Sequence, residues 1–281
     1  MSALVIGHRG APGHLAEHTL ASYRLAVRLG ADALETDLVM SRDGVLVVRH
    51  EPELSRTTDV ARRPEFAARR TTKHIDGRAA TGWFVDDFTL AELRTLNAPG
   101  PGDLIPTFDE LLLLVRDESA RTGRAIGLHV EVKHPAYFAS VGLPMDAAVL
   151  GTLRDHGLDQ PGHGVWVQSF DDRFLRRLKQ STPLPLVPLV QLVEPGRRFR
   201  CDEVASYAAA LGPSQGAVLR ADRMPTGLVA EAHQAGLAVF AWTLRGDVEQ
   251  ARRFFAAGVD GVFTDYADRA VTALGRLVPS A

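Results

Sequence analysis

Two short stretches carry charged side chains at a spacing that could do chemistry. In Glu35-Thr36-Asp37 and Glu131-Val132-Lys133 the charged residues lie two apart, and on a β-strand that spacing puts both on one face. If the two strands are neighbours, Glu35, Asp37 and Glu131 converge. Three carboxylates in a sheltered place must be protonated, paired with cations or bound to a metal ion. No cysteine stands among them, so the donors are hard oxygens that suit Mg2+ or Ca2+ better than a structural zinc. Separate salt bridges to rim arginines or lysines are the competing reading of each carboxylate.

Two histidines stand where strands are expected to end, His8 after Leu4-Val5-Ile6-Gly7 and His50 after Val45-Leu46-Val47-Val48-Arg49. Imidazole both gives and takes a proton near neutral pH, so His8 and His50 are candidate acid and base. His14, His18, His129 and His134 are read as ordinary core or rim residues. Arg9 can fork two phosphate oxygens and Lys133 can add a point charge, which together imply an anionic substrate. Balancing the carboxylates is their alternative role. Trp242, at the end of a later strand, is expected to contact substrate. A metal, two histidines and two cations without an aligned serine or cysteine nucleophile suit phosphoryl transfer from a phosphodiester. Either a neighbouring hydroxyl of the substrate or water can then be the attacking group.

These residues need a scaffold that gathers strand ends. Apolar β-type runs fall near 3–7, 32–38, 45–49, 126–132, 165–168, 186–190, 216–219, 238–242 and 259–263. Helical patterns lie between them, among others at 19–29, 172–179, 225–235 and 247–256, with Gly30, Gly236 and Gly258 where helices stop. Alternation of this kind predicts βα units and a parallel sheet. The runs at 32–38 and 45–49 are separated by Ser41-Arg42-Asp43-Gly44, and Asp-Gly predicts an antiparallel hairpin. A two-residue loop there would set Asp37 opposite His50. With the return strand of that hairpin projecting above the sheet, eight parallel strands remain, the count of a (β/α)8 TIM barrel, whose active sites lie at the strand C-terminal ends. A doubly wound open sheet is the alternative. Residues 51–125 show no barrel strand but hold helical pieces near 89–96 and 108–117, and about 51–106 reads as an insertion over the C-terminal mouth.

The 281 residues, 46% apolar, can bury a full core in one domain spanning 1–281. With 32 basic against 34 acidic residues, the chain is no polyelectrolyte clamp, so no nucleic-acid partner is expected. Arg62-Arg63, Arg69-Arg70 and Arg197-Arg198 read as solvated surface. No run of 18 apolar residues occurs, so no integral membrane segment is expected. The lone Cys201 and the start Met1-Ser2-Ala3-Leu4 fit a cytoplasmic protein without a signal peptide. Oligomeric state is not readable.

The segments His8-Arg9-Gly10, Glu17-His18-Thr19, Glu35-x-Asp37, Asp43-Gly44 and His50-Glu51-Pro52-x-Leu54-x-Arg56-Thr57-Thr58 resemble the glycerophosphodiester phosphodiesterase family. So do Phe88-Thr89-Leu90-x-Glu92-Leu93, Ile105-Pro106-Thr107-Phe108-x-Glu110, Glu131-x-Lys133, Ser169-Phe170, Trp242-Thr243 and the run from Gly258 to Asp265, in the family's order over residues 4–265. The resemblance implies a (β/α)8 hydrolase of glycerol and lipid metabolism that releases sn-glycerol 3-phosphate and an alcohol with a divalent metal. It implies metal ligands at Glu35, Asp37 and Glu131, acid/base roles for His8 and His50, and phosphate contacts from Arg9 and Lys133. Three motifs depart from the family pattern: the usual Pro-Glu-Asn-Thr reads Ala16-Glu17-His18-Thr19, the usual His-Asp reads His50-Glu51, and Arg245 stands for the usual Asn after Trp-Thr-Val. A barrel phosphodiesterase acting on lysophospholipid or sphingomyelin head groups, and a non-catalytic binding barrel, are the alternatives.

Overall fold

The computed structural model describes residues 3–98, 103–191 and 199–278; Arg197-Arg198 lies outside them. Its strands, in chain order, are β1 (Leu4–Gly7), β2 (Ala33–Met40), β3 (Leu46–Val48), β4 (Thr71–Ile75), β5 (Arg78–Gly82), β6 (Gly127–Val132), β7 (Val165–Ser169), β8 (Leu186–Val190), β9 (Ala210–Pro213), β10 (Ala238–Leu244) and β11 (Gly261–Thr264). Eight of them run parallel in the order β1-β2-β6-β7-β8-β9-β10-β11, and β11 pairs with β1 from Leu4↔Gly261 to Gly7↔Thr264, which closes the barrel. Helices return the chain between strands, among them Leu20–Arg28, Phe108–Thr122, Asp172–Leu178 and Val248–Ala256. Thr19 caps the first through its side chain, and Thr107 with Glu110 forms a capping box on the second.

The expected (β/α)8 barrel is therefore present, with two differences in detail. The strand expected at 216–219 is a helical turn, Gln215–Val218, and the barrel strand is β9, Ala210–Pro213. Its run Ala208-Ala209-Ala210-Leu211-Gly212-Pro213 lacks β-branched residues, so propensity argued against a strand. The site selects small residues for another reason: a Cβ at Gly212 would come within 2.5 Å of the Leu189 side chain. The second difference is register. β2 and β3 pair as Leu38↔Val48 and Met40↔Leu46, and Ser41 N–H meets Val45 C=O at 3.0 Å. The loop is thus three residues, Arg42-Asp43-Gly44, with Gly44 left-handed at φ +79, the type I turn plus bulge that glycine permits. Asp37 consequently faces Arg49, whose N–H reaches its C=O at 3.0 Å, and His50 lies one residue further along.

The segment expected as an insertion holds a second hairpin, β4 with β5, joined by the two-residue loop Asp76-Gly77 with both φ positive. Its tip returns to the barrel rim, where Asp76 Oδ2 lies 2.6 Å from His134 Nδ1 just after β6. Arg63 pairs with Asp59, and Arg69 with Glu92, at the surface. Among the described residues no helix is long and apolar enough to cross a membrane.

Two apolar layers support the barrel. The larger lies between strands and helices; the smaller fills the barrel interior with Ile6, Ala33, Val187, Ala210, Phe240 and Phe263. His129 is buried in that interior, stacked on Trp166 at 5.8 Å and edge-on to Phe240 and Phe263. Burial holds its pKa down at about 3, opposed only in part by the Gln168 side chain. A histidine that stays neutral when folded but protonates when unfolded removes stability as pH falls from 6.5 toward about 3. Thermal melts should therefore show His129→Leu less acid-sensitive than wild type, with a difference of about 2 kcal/mol developing between pH 6.5 and pH 5. Parallel loss of stability in both proteins would contradict this.

Candidate active site at the barrel mouth

The parallel register of β2 and β6 sets Asp37 beside Glu131 and Glu35 beside His129. Alternation then sends Glu35, Asp37 and Glu131 inward, and one carboxylate oxygen from each lies within 4.8 Å of the others. All three are buried, Asp37 to 1% exposure. Each carboxylate has one oxygen tied to a protein donor. Glu35 Oε2 accepts the Arg9 N–H at 2.8 Å, and Glu131 Oε1 accepts Lys133 Nζ at 2.6 Å. Asp37 Oδ2 meets His18 Nε2 at 3.0 Å and Arg9 Nε at 3.1 Å, while its Oδ1 is buried without a hydrogen bond.

The electrostatics follow from that crowding. Burial, with repulsion from Asp37 and Glu131, raises Glu35 well above the usual carboxylate range, and burial lifts Glu131 to about 6 despite Lys133. Burial works the same way on Asp37, but Lys133 and Arg9 outweigh it and hold that group well below its ordinary value. Lys133 in turn stays protonated because Glu131 and Asp37 overcome its own burial. Burial pushes Glu35 and Glu131 toward their neutral forms, and Asp37 keeps one oxygen, Oδ1, that accepts no hydrogen bond and has only Lys133 Nζ at 3.7 Å; this donor set fits a divalent cation of hard character.

The loop after β1 delivers the next groups. Gly10, at φ +94, lies so close to the helix Leu20–Arg28 that a Cβ would meet Ser22 Oγ at 2.6 Å. Arg9 is itself left-handed at φ 53, a conformation costly for a residue with a side chain, and in it the Arg9 N–H reaches Glu35. The guanidinium spends Nη1 on Glu17 and Nε on Asp37. Arg9 thus shares its fork with carboxylates.

His8 Nδ1 lies 2.7 Å from Asp265 Oδ1, and Asp265 also accepts Arg245 Nε at 2.8 Å. Burial lowers the His8 pKa, opposed by the Asp265 hydrogen bond. His50 Nδ1 lies 2.6 Å from Glu51, whose carboxyl is held down at about 2 chiefly by that bond. With Nδ1 engaged on a carboxylate, each imidazole leaves Nε2 for other work. His8, Arg9, Glu35, His50, Glu131, Lys133 and Trp242 all line one cavity of about 1140 Å³. Trp242 is fixed by its indole N–H to Gly212 C=O at 2.6 Å and packs edge-on to Phe170.

Every residue singled out from the sequence therefore reaches this mouth, Asp37 just beneath its wall. Asp265, Glu51, His18 and Tyr23 were not assigned roles by sequence reasoning. Asp265 could have been found by closing the barrel: Gly7 pairs with Thr264, so the next residues, His8 and Asp265, must be neighbours. His18, left-handed at φ 59, links Tyr23 Oη at 2.8 Å to Asp37 at 3.0 Å. With the Tyr23 hydroxyl donating to Nδ1, Nε2–H donates to the carboxylate, and burial keeps the ring neutral, its pKa down at about 4. Outer partners of this kind typically change metal affinity 10–100-fold. Titration calorimetry with Mn2+ in the absence of substrate should accordingly give His18→Ala binding about tenfold weaker or worse, with a normal melt; unchanged affinity would reduce His18 to packing.

The sequence profile of the glycerophosphoryl diester phosphodiesterase family matches residues 8–269. A glycerophosphodiester phosphodiesterase of Arabidopsis thaliana is 30% identical, over 93% of this chain and 83% of its own length. The solved structure of a Silicibacter pomeroyi protein superposes with a TM-score of 0.76 at 31% identity, covering 97% of this chain and 93% of the other. An Oleispira antarctica phosphodiesterase, solved with the product sn-glycerol-3-phosphate, gives a TM-score of 0.74 at 26% identity, covering 97% and 96%.

Proposed function

The chain belongs to the glycerophosphoryl diester phosphodiesterase family, and on that premise we propose that it hydrolyses glycerophosphodiesters to sn-glycerol 3-phosphate and an alcohol. The observation that carries this reading is the convergence of Glu35, Asp37 and Glu131 in one cavity wall region with two histidines, each backed by its own carboxylate. We assign residues 1–281 to one catalytic domain with 51–106 as its insertion. The single Cys201 supports a cytoplasmic location.

Glu35, Asp37 and Glu131 would hold one divalent cation, Mg2+ or Ca2+, which when bound supplies positive charge to the nonbridging phosphate oxygens. Lys133, buried and charged, and the uncommitted edge of the Arg9 guanidinium add donors to the same oxygens. Trp242 and Phe170 offer an apolar wall for the carbon skeleton. His8, neutral through burial and held by Asp265, is suited to take the proton of the attacking hydroxyl at Nε2. For this step His50 carries a proton on Nε2 besides the Nδ1–H held by the ionised Glu51, and it gives the Nε2 proton to the leaving alkoxide. The bond from phosphorus to the attacking oxygen forms as the bond to the alcohol oxygen breaks. Water enters the products either at this step or in opening a cyclic phosphate.

Purified protein should release sn-glycerol 3-phosphate from glycerophosphoglycerol, lose that activity on chelation and regain it with Mg2+ or Ca2+. His8→Ala and His50→Ala should each lower turnover at least 100-fold while calorimetric metal binding persists. Full activity in excess chelator, or in either alanine variant, would overturn the corresponding assignment. In Asp265→Asn the His8 ring loses the carboxylate charge that raises its pKa, so turnover should drop at least tenfold and the limb of the pH–rate curve governed by His8 should move to lower pH. An unshifted limb would separate Asp265 from the chemistry.

A further inference from the structure

The cavity is larger than the reaction needs. At about 1140 Å³ it exceeds the roughly 300–1,000 Å³ of sites that enclose drug-sized ligands, and it continues outward from the carboxylate triad past Phe170 and Trp242. Its outer wall carries Arg78, Arg173 and Arg245. Arg78 opens β5, two residues beyond Asp76, and Asp76 is fastened to His134 directly after β6 at 2.6 Å. Arg173 lies in the helix Asp172–Leu178 directly after β7, and β6 and β7 are neighbours in the barrel. Two arginines from unrelated segments thus line the same cavity, on the side of β6 and β7.

The carboxylates of that wall are engaged elsewhere. Asp76 is on His134, Asp171 accepts the Phe174 N–H at 2.9 Å, and Asp172 holds Arg176 at 2.7 Å and the Tyr207 hydroxyl. Arg245 contacts Asp265 through Nε, and its side chain is 64% exposed. Arg78 and Arg173 make no ion pair among the described residues, and both are exposed. A guanidinium presents parallel donors that match a phosphoryl group, and these two are not committed to any of the carboxylates that share the cavity lining with them.

We propose that the Arg78–Arg173 sector is a second anion subsite, which binds a phosphoryl group carried by the alcohol of the diester. This rests on the phosphodiesterase reading and narrows it. The substrate class is a glycerophosphodiester whose leaving alcohol is itself phosphorylated, with the scissile phosphate at the triad and the second phosphate on the outer arginines. A leaving alcohol with a quaternary ammonium brings positive charge to the same sector and is disfavoured.

The test compares three diesters under one ionic strength: glycerophosphocholine, glycerophosphoglycerol, and glycerophosphoglycerol bearing a terminal phosphate on the alcohol. Wild-type kcat/KM should be highest for the phosphorylated alcohol, by about tenfold over the neutral one, and lowest for choline. Arg78→Ser with Arg173→Ser should erase the preference while glycerophosphoglycerol turnover stays within about twofold, which also shows that the variant folds. Equal rates on the phosphorylated and neutral alcohols in wild type, or a preference that survives in the double variant, overturn the subsite and leave the phosphodiesterase reading intact. Hydrolysis of none of the three in the presence of Mg2+ or Ca2+ overturns both.

Discussion

Burying three carboxylates within 4.8 Å of one another is the interaction on which the rest of this structure depends. In water such a cluster relaxes by separation; inside a barrel, Asp37 and Glu131 are locked side by side by strand register. The protein therefore has to supply compensation from fixed positions. It does so with Lys133 on Glu131, and with the Arg9 side chain and His18 on Asp37, while the Arg9 backbone amide takes Glu35. Each of these donors engages one oxygen of its carboxylate. The compensation is partial, since Glu35 and Glu131 are still pushed toward their neutral forms. The proposed cation would complete it.

Unfavourable backbone geometry gathers where that compensation is made. Arg9, His18 and His134 are all left-handed, as is Asp76 at the hairpin tip that His134 holds. Conformations of this kind persist only where surrounding contacts over-determine them. Here the contacts are named: Gly10 against Ser22, His18 between Tyr23 and Asp37, and Asp76 on His134. The large apolar layers beneath the mouth leave the strand ends little freedom to drift, so the polar groups above them keep their spacing.

Much of this was legible in the sequence because the relevant signals are local. Two-residue spacing places Glu35 with Asp37 and Glu131 with Lys133, and alternating βα runs yield the barrel count. What escaped is set by tertiary context. β9, Ala210–Pro213, carries a glycine because a side chain at Gly212 would strike Leu189, a constraint no window of sequence displays. The hairpin register turned on whether the loop held two residues or three, which the Asp-Gly signal alone does not decide. The Asp76-Gly77 hairpin carries the same signal and lies in a segment too polar to read as strands. His8 and Asp265 are 257 residues apart and meet only once the barrel closes. His18 looked like a rim residue, and its value comes from a tyrosine one helical turn away and a carboxylate on the next strand.

The central claim, that the triad is a cation cage, is tested most directly by crystals grown with Mn2+ and measured at its absorption edge. The account predicts one dominant anomalous peak at the barrel mouth, about 2.0–2.6 Å from one oxygen each of Glu35, Asp37 and Glu131. Arg9, His18 and Lys133 should keep their carboxylate contacts in that structure. A triad without the peak, in crystals that contain Mn2+ at saturating concentration, would contradict it and leave the three carboxylates as a purely internal charge network.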